Sequence, residues 1–195
     1  MYSKNSEGIY YSSDEGTEFK HLRYFDIAKG SHTILTEDIP WDILGFSQSK
    51  NGRLIAFTTN ENAITKLHVV KTFGFRKLVI PDLPKGSISG LKFHPQGNKI
   101  ALNINASKTP GDVYVINLLS KKLEQWTKSE VGGLDTELFS EPELIKIKSF
   151  DSLTVSGFLY KPLTKGPHPV VVYIHGGPES QYRPGFSSNF QYWVK

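Results

Sequence analysis

A repeat of about 45 residues constrains the fold of this chain more than any other feature. The segment Gly45–Asn60 (GFSQSKNGRLIAFTTN) aligns with the segment Gly90–Asn105 (GLKFHPQGNKIALNIN) at an offset of 45 residues. Identical residues coincide at five positions: Gly45 with Gly90, Gly52 with Gly97, Ile55 with Ile100, Ala56 with Ala101 and Asn60 with Asn105. A fixed period of this length indicates structural units that stack on their neighbours.

The second half of the repeat follows the first. The segment Leu67–Ile80 (LHVVKTFGFRKLVI) matches Val113–Trp126 (VYVINLLSKKLEQW) at an offset of 46 residues, and an earlier copy is Arg23–Leu35 (RYFDIAKGSHTIL). Three copies of this half and two of the other are therefore present.

Each unit is predicted to form four short strands. Asn51-Gly52 and Gln96-Gly97 stand between apolar runs, and a glycine there is a strong hairpin signal because tight primed turns need positive φ. Four strands in about 45 residues make one blade of a β-propeller. A β-sandwich is the alternative, but the joint recurrence of glycines and apolar positions favours the propeller. Ile55 and Ile100 should then occupy equivalent buried positions.

The pattern changes after Trp126. A polar, glycine-bearing segment of residues 127–143 reads as a linker. Next come the alternating residues Leu144–Lys148, a turn at Phe150–Ser152 and a second strand, which together predict an antiparallel hairpin. The apolar run Val170–Ile174 predicts a strand buried on both faces, and it ends at His-Gly-Gly-Pro. This order resembles the opening of an α/β-hydrolase domain.

The predicted fold is therefore mostly β: a partial β-propeller of about three blades at 1–139, then the first strands of an α/β-hydrolase domain at 140–195. The blades resemble the non-WD propellers of TolB-like proteins and of the prolyl oligopeptidase family. In such blades an aspartate often follows the third strand; here Asp26 keeps it, while Lys71 and Asn117 replace it.

The resemblance becomes specific in ELIKIKSFDSLTVSGFLYKP and HPVVVYIHGGPESQY. These stretches are similar to the prolyl oligopeptidase family of serine peptidases, particularly its acylaminoacyl-peptidase and dipeptidyl-peptidase-like branch. That family places a propeller directly before an α/β-hydrolase domain, so the resemblance covers nearly the whole chain. Gln181 also matches a glutamine that is common in the branch.

The resemblance implies roles for the two glycines of the loop. Acyl transfer needs donors that bind the oxyanion of the tetrahedral intermediate, and glycines allow backbone to approach a substrate closely. The resemblance assigns one oxyanion N–H to Gly177, with Gly176 supporting the loop, and makes His175 a structural residue rather than the general base. A plain strand-to-helix turn without chemistry is the alternative.

The nucleophile and the rest of a catalytic triad are absent from the sequence. A G-x-S-x-G motif would carry the serine, and the nearest match, Gly86–Gly90 (GSISG), has serines at its second and fourth positions. The sequence therefore favours an internal or truncated piece of a peptidase that hydrolyses short peptides through an acyl-enzyme, inactive by itself.

Two other functions compete with this interpretation. A non-enzymatic TolB-like propeller would bind a protein or peptide partner, but it would not continue into a buried strand and His-Gly-Gly-Pro. A lipase or esterase would lack preceding blades, and Pro178 stands where such enzymes usually carry a third glycine.

Composition narrows the remaining classes. With no cysteine, the chain has no disulfide, thiol nucleophile or cysteine-ligated zinc. Its net charge of +4 comes from scattered residues, which argues against nucleic acid as a partner. The six histidines lack metal-ligand spacing, and no apolar run reaches the roughly 18 residues of a membrane span. We expect no metal, no cofactor and no membrane partner, and a cytoplasmic location by default, with a periplasmic or secreted parent protein as the alternative.

Overall fold

A computed structural model describes all 195 residues of the chain. It is mostly β, as predicted. The twelve strands are β1 (Gly8–Ser13), β2 (His21–Asp26), β3 (Ser31–Ile34), β4 (Ile43–Gln48), β5 (Leu54–Glu61), β6 (Ile64–Lys71), β7 (Gly86–Phe93), β8 (Lys99–Ala106), β9 (Thr109–Asn117), β10 (Lys122–Gln125), β11 (Glu143–Lys148) and β12 (Thr154–Leu159). A 3₁₀ turn covers Thr136–Leu138, and one short helix, α1, covers Ser188–Trp193.

The first ten strands form three successive antiparallel units. Strands β7–β10 make a four-stranded sheet, whereas β1–β3 and β4–β6 make three-stranded sheets. An isolated bridge supplies the fourth member in both smaller units: Tyr2 pairs with Ile9 in the first, and Val70 pairs with Lys77 in the second. Each unit therefore has the four-strand order that the repeat predicts.

The hairpin turns of the second and third units are equivalent. Gly52 donates its N–H to the Ser49 carbonyl at 2.9 Å, and Gly97 donates to the His94 carbonyl at 2.7 Å, 45 residues later. The two glycines have φ of 72° and 73°, a left-handed conformation that glycine adopts without strain. Only the glycine has positive φ, so these are wider loops than the two-residue primed turn that Asn51-Gly52 suggested.

Ile55 and Ile100 occupy equivalent buried positions, as predicted. Both are 0% exposed. Ile55 lies between Gln48 and Val70 in its sheet, and Ile100 lies between Phe93 and Ile116. Those partners reproduce the offsets of 45 and 46 residues that the sequence contains, so the repeat is confirmed strand by strand.

Two apolar clusters hold the three units face to face. In the first, Tyr10 and Leu22 of the first unit pack with Ile55 and Val70 of the second. In the second, the opposite face of the middle unit meets the third unit through Ala56, Leu67, Val69, Ile100, Leu102, Ile104 and Ile116. Ile55 and Ile100 thus both face the preceding unit. No closed propeller forms from three units.

The side chain at the aspartate position after the third strand keeps its role in the first and third units. Asp26 accepts the Lys29 N–H at 3.0 Å through its side chain. Asn117 does the same work, because its Oδ1 accepts the N–H groups of Leu119 and Ser120 at 3.0 and 3.1 Å. Both side chains thereby hold the turn that follows their strand.

Strands β11 and β12 form the predicted antiparallel hairpin, closed by the Ser149 N–H donating to the Leu153 carbonyl at 2.9 Å. The prediction that Val170–Ile174 forms a buried strand is wrong. Its five side chains are 61–84% exposed, and the segment belongs to no sheet. An apolar β-branched run predicts strand propensity, but a strand needs a partner for its backbone groups, and no other strand of the chain lies beside it.

Candidate functional site

The candidate oxyanion loop, His175–Pro178, extends into solvent. Gly177 has φ of +148°, and a Cβ built there would lie 3.1 Å from the Glu179 nitrogen and 3.1 Å from the Ser180 Cβ. Only glycine fits this conformation without strain. The Gly177 N–H forms no hydrogen bond within the chain, and a Cβ at Gly176 would meet nothing within 4 Å. The Gly177 N–H is therefore unpaired, as are the His175 and Gly176 N–H groups, and open space lies beside Gly176.

His175 contacts its own loop. Its Nδ1 donates to the Gly176 carbonyl at 2.8 Å, and the ring is exposed. No carboxylate of the chain lies in hydrogen-bond contact with it. A general base of the triad type is oriented by such a third group, and here that partner is missing.

An aromatic cluster lies behind the loop. Tyr173 packs edge-on against Tyr182 and Phe190, with ring centroids 6.2 and 5.2 Å apart. The Tyr182 and Tyr160 hydroxyls share a hydrogen bond of 3.0 Å. Burial, and then this hydrogen bond, raises the pKa of Tyr160 far above its usual value. These aromatic side chains join the residues before the loop to β12 and α1.

Gln191 on α1 joins three distant parts of the chain. Its Oε1 accepts the Ser140 N–H at 2.8 Å, and its Nε2 donates to the carbonyls of Ser107 and Ser140, both at 3.0 Å. A second contact lies nearby, where Asn105 Oδ1 accepts the Phe186 N–H at 2.8 Å. Sequence reasoning missed both residues. The only signal was the recurrence of asparagine at positions 60 and 105.

Asp112, near the start of strand β9 in the third unit, was also missed by the sequence analysis. The side chain is almost completely buried, and it accepts five hydrogen bonds: from the hydroxyls of Thr109, Thr127 and Ser129, the Ser129 N–H and the Gln125 amide. Burial by itself would raise the pKa of this carboxyl, but the hydrogen bonds from Thr109, Thr127 and Ser129 outweigh it and lower the pKa. Asp112 thereby fastens the linker to strand β9.

The Asp112 carboxylate should make folding stability depend on acid. Its folded pKa lies below the unfolded value of about 3.9, so its stabilisation is complete above that value and is lost as pH falls through the folded pKa. We expect Asp112→Asn to lower the free energy of unfolding at neutral pH by about 1–3 kcal/mol and to flatten its decline in acid. Urea unfolding from pH 7 to pH 2 measures both effects (about five pH values suffice to fit the slope).

The matched control is Asp82→Asn, since Asp82 is exposed and its carboxylate accepts no hydrogen bond from the chain. That variant should keep the wild-type acid dependence. An Asp112→Asn protein with an unchanged pH profile would show that the five hydrogen bonds do not control the ionisation of Asp112.

A cavity of about 560 Å³ lies beside these contacts, between the β8–β9 turn, the linker and β12. Its lining includes Lys108, Asp112, Ser129, Glu141 and Phe158. The His175–Pro178 loop does not line it. No three His, Asp or Glu side chains come together as a metal site. None of the helices is long and apolar enough to cross a membrane.

Comparison with known proteins finds similar sequences and similar structures. No model of a known protein family matches the chain. Two curated fungal proteins match the chain, each over 189 residues and 90% of its length. They are probable dipeptidyl-aminopeptidase B of Botryotinia fuckeliana, at 25% identity, and probable dipeptidyl-aminopeptidase B of Sclerotinia sclerotiorum, at 24% identity. The chain is therefore similar in sequence to dipeptidyl-aminopeptidases. It spans 20% of the length of these two relatives.

Solved structures of prolyl oligopeptidases have the same fold. A prolyl endopeptidase structure superposes on 96% of the chain with a TM-score of 0.75 at 20% identity, and the match covers 28% of that enzyme. Prolyl oligopeptidase B from Galerina marginata, bound to a 35-residue substrate, superposes on 95% of the chain with a TM-score of 0.77 at 14% identity, covering 27% of the enzyme. The expected resemblance to prolyl oligopeptidases is therefore confirmed, and the site residues stay predictions.

Proposed function

We propose that this chain forms the end of the propeller and the start of the catalytic domain of a serine peptidase. Residues 1–139 are the partial β-propeller, and 140–195 are the N-terminal part of the α/β-hydrolase domain. The division rests on the end of the repeat at Trp126 and on the separate hairpin β11–β12, which pairs with none of the propeller strands.

In this proposal the Gly177 N–H binds the oxyanion that forms when a serine outside this chain attacks a peptide carbonyl. The observation that carries it is the free N–H of a glycine at φ +148° within the His-Gly-Gly-Pro loop, which follows an apolar segment. A donor of this kind stabilises charge that develops only in the transition state. No atom lies within 4 Å of the position that a Cβ would take on Gly176, so a substrate can approach the backbone there.

The substrate class follows from the relatives. The fungal relatives are named as dipeptidyl-aminopeptidases, and the Galerina enzyme is described with a bound peptide. We assign short peptides as the substrate, with the propeller units covering the catalytic domain. A propeller that only binds a peptide partner is the second candidate, supported by the three propeller units.

The isolated chain should neither hydrolyse peptides nor label covalently with a fluorophosphonate probe. An oxyanion donor has no charge to stabilise without a nucleophile, and loss of the whole triad removes most of the rate enhancement. Mass spectrometry of the probe-treated chain, beside an active serine peptidase as positive control, measures this. Stoichiometric labelling of any serine would contradict the assignment of the nucleophile to another part of the protein.

The coding DNA after Lys195 separates the two candidates. A peptidase requires an in-frame G-x-S-x-G within about 100 residues, followed by an aspartate and a histidine. A continuation of the reading frame without that motif would favour the peptide-binding propeller.

A further inference from the structure

The side chain of Gln191 is buried where the two parts of the chain meet, and both its oxygen and its nitrogen form hydrogen bonds. It is 8% exposed, and its amide makes three hydrogen bonds of 2.8–3.0 Å. One partner, Ser107, lies in the β8–β9 turn of the third propeller unit. The other, Ser140, lies near the end of the linker. Removing the partners of a buried side-chain amide costs free energy of folding, because its donor and acceptor atoms would then be unpaired and out of reach of water.

Two further contacts converge on the same place. The Ser140 hydroxyl donates to the Lys161 carbonyl at 2.9 Å. Asn105 accepts the Phe186 N–H at 2.8 Å, and a Cβ on Gly185 would lie 3.2 Å from the Asn105 amide. The segment from Lys161 to Phe186 is thereby attached at both ends. Its first residue is bonded to Ser140, a partner of Gln191, and its last to Asn105, which lies two residues before Ser107.

The segment between those attachments has little structure of its own. Its backbone makes only two internal hydrogen bonds, Ser180 to Pro178 and Gly185 to Arg183, and Val170–Ile174 belongs to no sheet. Tyr173 and Tyr182 pack on Phe190, which belongs to the same helix as Gln191. The placement of the candidate loop relative to the propeller therefore depends on helix α1 and on its attachment.

We infer that Gln191 is a positioning residue: its amide holds α1, and with it the His175–Pro178 loop, in a fixed place against the third propeller unit. The attachment itself is independent of enzymatic activity. Its meaning for catalysis rests on the proposed role of Gly177, because an oxyanion donor must be placed to within a fraction of an ångström of its target.

Substitutions at this position separate shape from hydrogen bonding. Gln191→Ala removes all three bonds and leaves the Ser140 N–H and two carbonyls unpaired in a buried place. Gln191→Glu keeps the length of the side chain but turns a donor into a carboxylate oxygen that faces two carbonyl oxygens. Gln181→Ala is the matched control, since Gln181 is exposed and its side chain makes no hydrogen bond within the chain.

Because the chain has no cysteine, spin labels can be placed at two chosen positions alone. Ser120→Cys lies on the third propeller unit and Glu179→Cys beside the loop, and both native residues are exposed. Pulsed electron resonance on the full chain, diluted with unlabelled protein to remove intermolecular signal, gives the distance distribution. We expect Gln191→Ala and Gln191→Glu to widen it by about twofold or more.

The Gln181→Ala protein should keep the wild-type distribution. A Gln191→Ala protein with the wild-type distribution would overturn the inference. If that variant fails to fold, Gln191→Glu decides the question, because it keeps the length of the side chain: a widened distribution supports the inference, and the wild-type distribution contradicts it. No readout uses peptidase activity, so failure of the proposed function and failure of this inference are distinguishable.

Discussion

Gly177→Ala should lower kcat on the order of 100- to 1,000-fold in a longer protein that carries this chain together with its G-x-S-x-G serine. The loss has two physical causes. At φ +148° a Cβ would crowd the Glu179 nitrogen and the Ser180 Cβ, both at 3.1 Å. The backbone must then rotate to relieve the contact, which turns the N–H away from the position of the oxyanion.

Steady-state kinetics on a chromogenic peptide measures this effect as a fall in kcat with little change in KM, because the donor acts mainly in the transition state. Gly132→Ala is the control for backbone strain, since Gly132 has φ of +73° in the linker and no atom lies near its Cβ position. That variant should keep the wild-type kcat. A Gly177→Ala enzyme within about threefold of the wild-type kcat would remove Gly177 from the oxyanion site.

Ile100→Ala should destabilise the fold by about 2–5 kcal/mol. Ile100 is 0% exposed and packs against Ala56 and Val69 of the middle unit, so the truncation leaves a cavity between two sheets that are already in contact. The control is Ile147→Ala on the hairpin β11–β12, where the side chain is 58% exposed. That substitution should change stability by no more than about 0.5 kcal/mol.

Urea unfolding followed by circular dichroism measures both isoleucine variants. Equal midpoints for Ile100→Ala and Ile147→Ala would contradict the stacking of the second and third units. The equivalent substitution, Ile55→Ala, should match Ile100→Ala in size, because Ile55 is also 0% exposed and lies in the first apolar cluster.

The sequence predicted those parts of the fold that depend on local chemistry repeated at a fixed distance. Gly52 and Gly97 mark turns that need positive φ, and Ile55 and Ile100 mark inward positions of a strand with period two. Each of these residues lies within a few residues of the turn or strand that it specifies. Because they recur at a fixed distance, the sequence also predicted the repeating unit.

The contacts that place the candidate site could not be predicted in the same way. Gln191 binds Ser107 and Ser140, which lie 84 and 51 residues earlier in the chain, and nothing in the local sequence of either partner marks it. Asp112 is similar, because four of its five hydrogen bonds come from residues 125–129, which lie 13 to 17 residues later in the chain. The prediction of a strand at Val170–Ile174 failed for the opposite reason. The β propensity of these residues is a local property, but a strand also requires a neighbouring strand with which to pair.

The middle sheet, β4–β6, has a consequence for how this array loses its structure. It alone contributes both faces to apolar clusters, with Ile55 and Val70 on one side and Ala56 and Val69 on the other. In a linear array the stability of a unit is the sum of its own term and the coupling to each neighbour. The outer units have one such coupling and the middle unit has two. In this chain taken by itself, fraying therefore starts at the outer units and travels inward, and the central sheet is the last of the three to open.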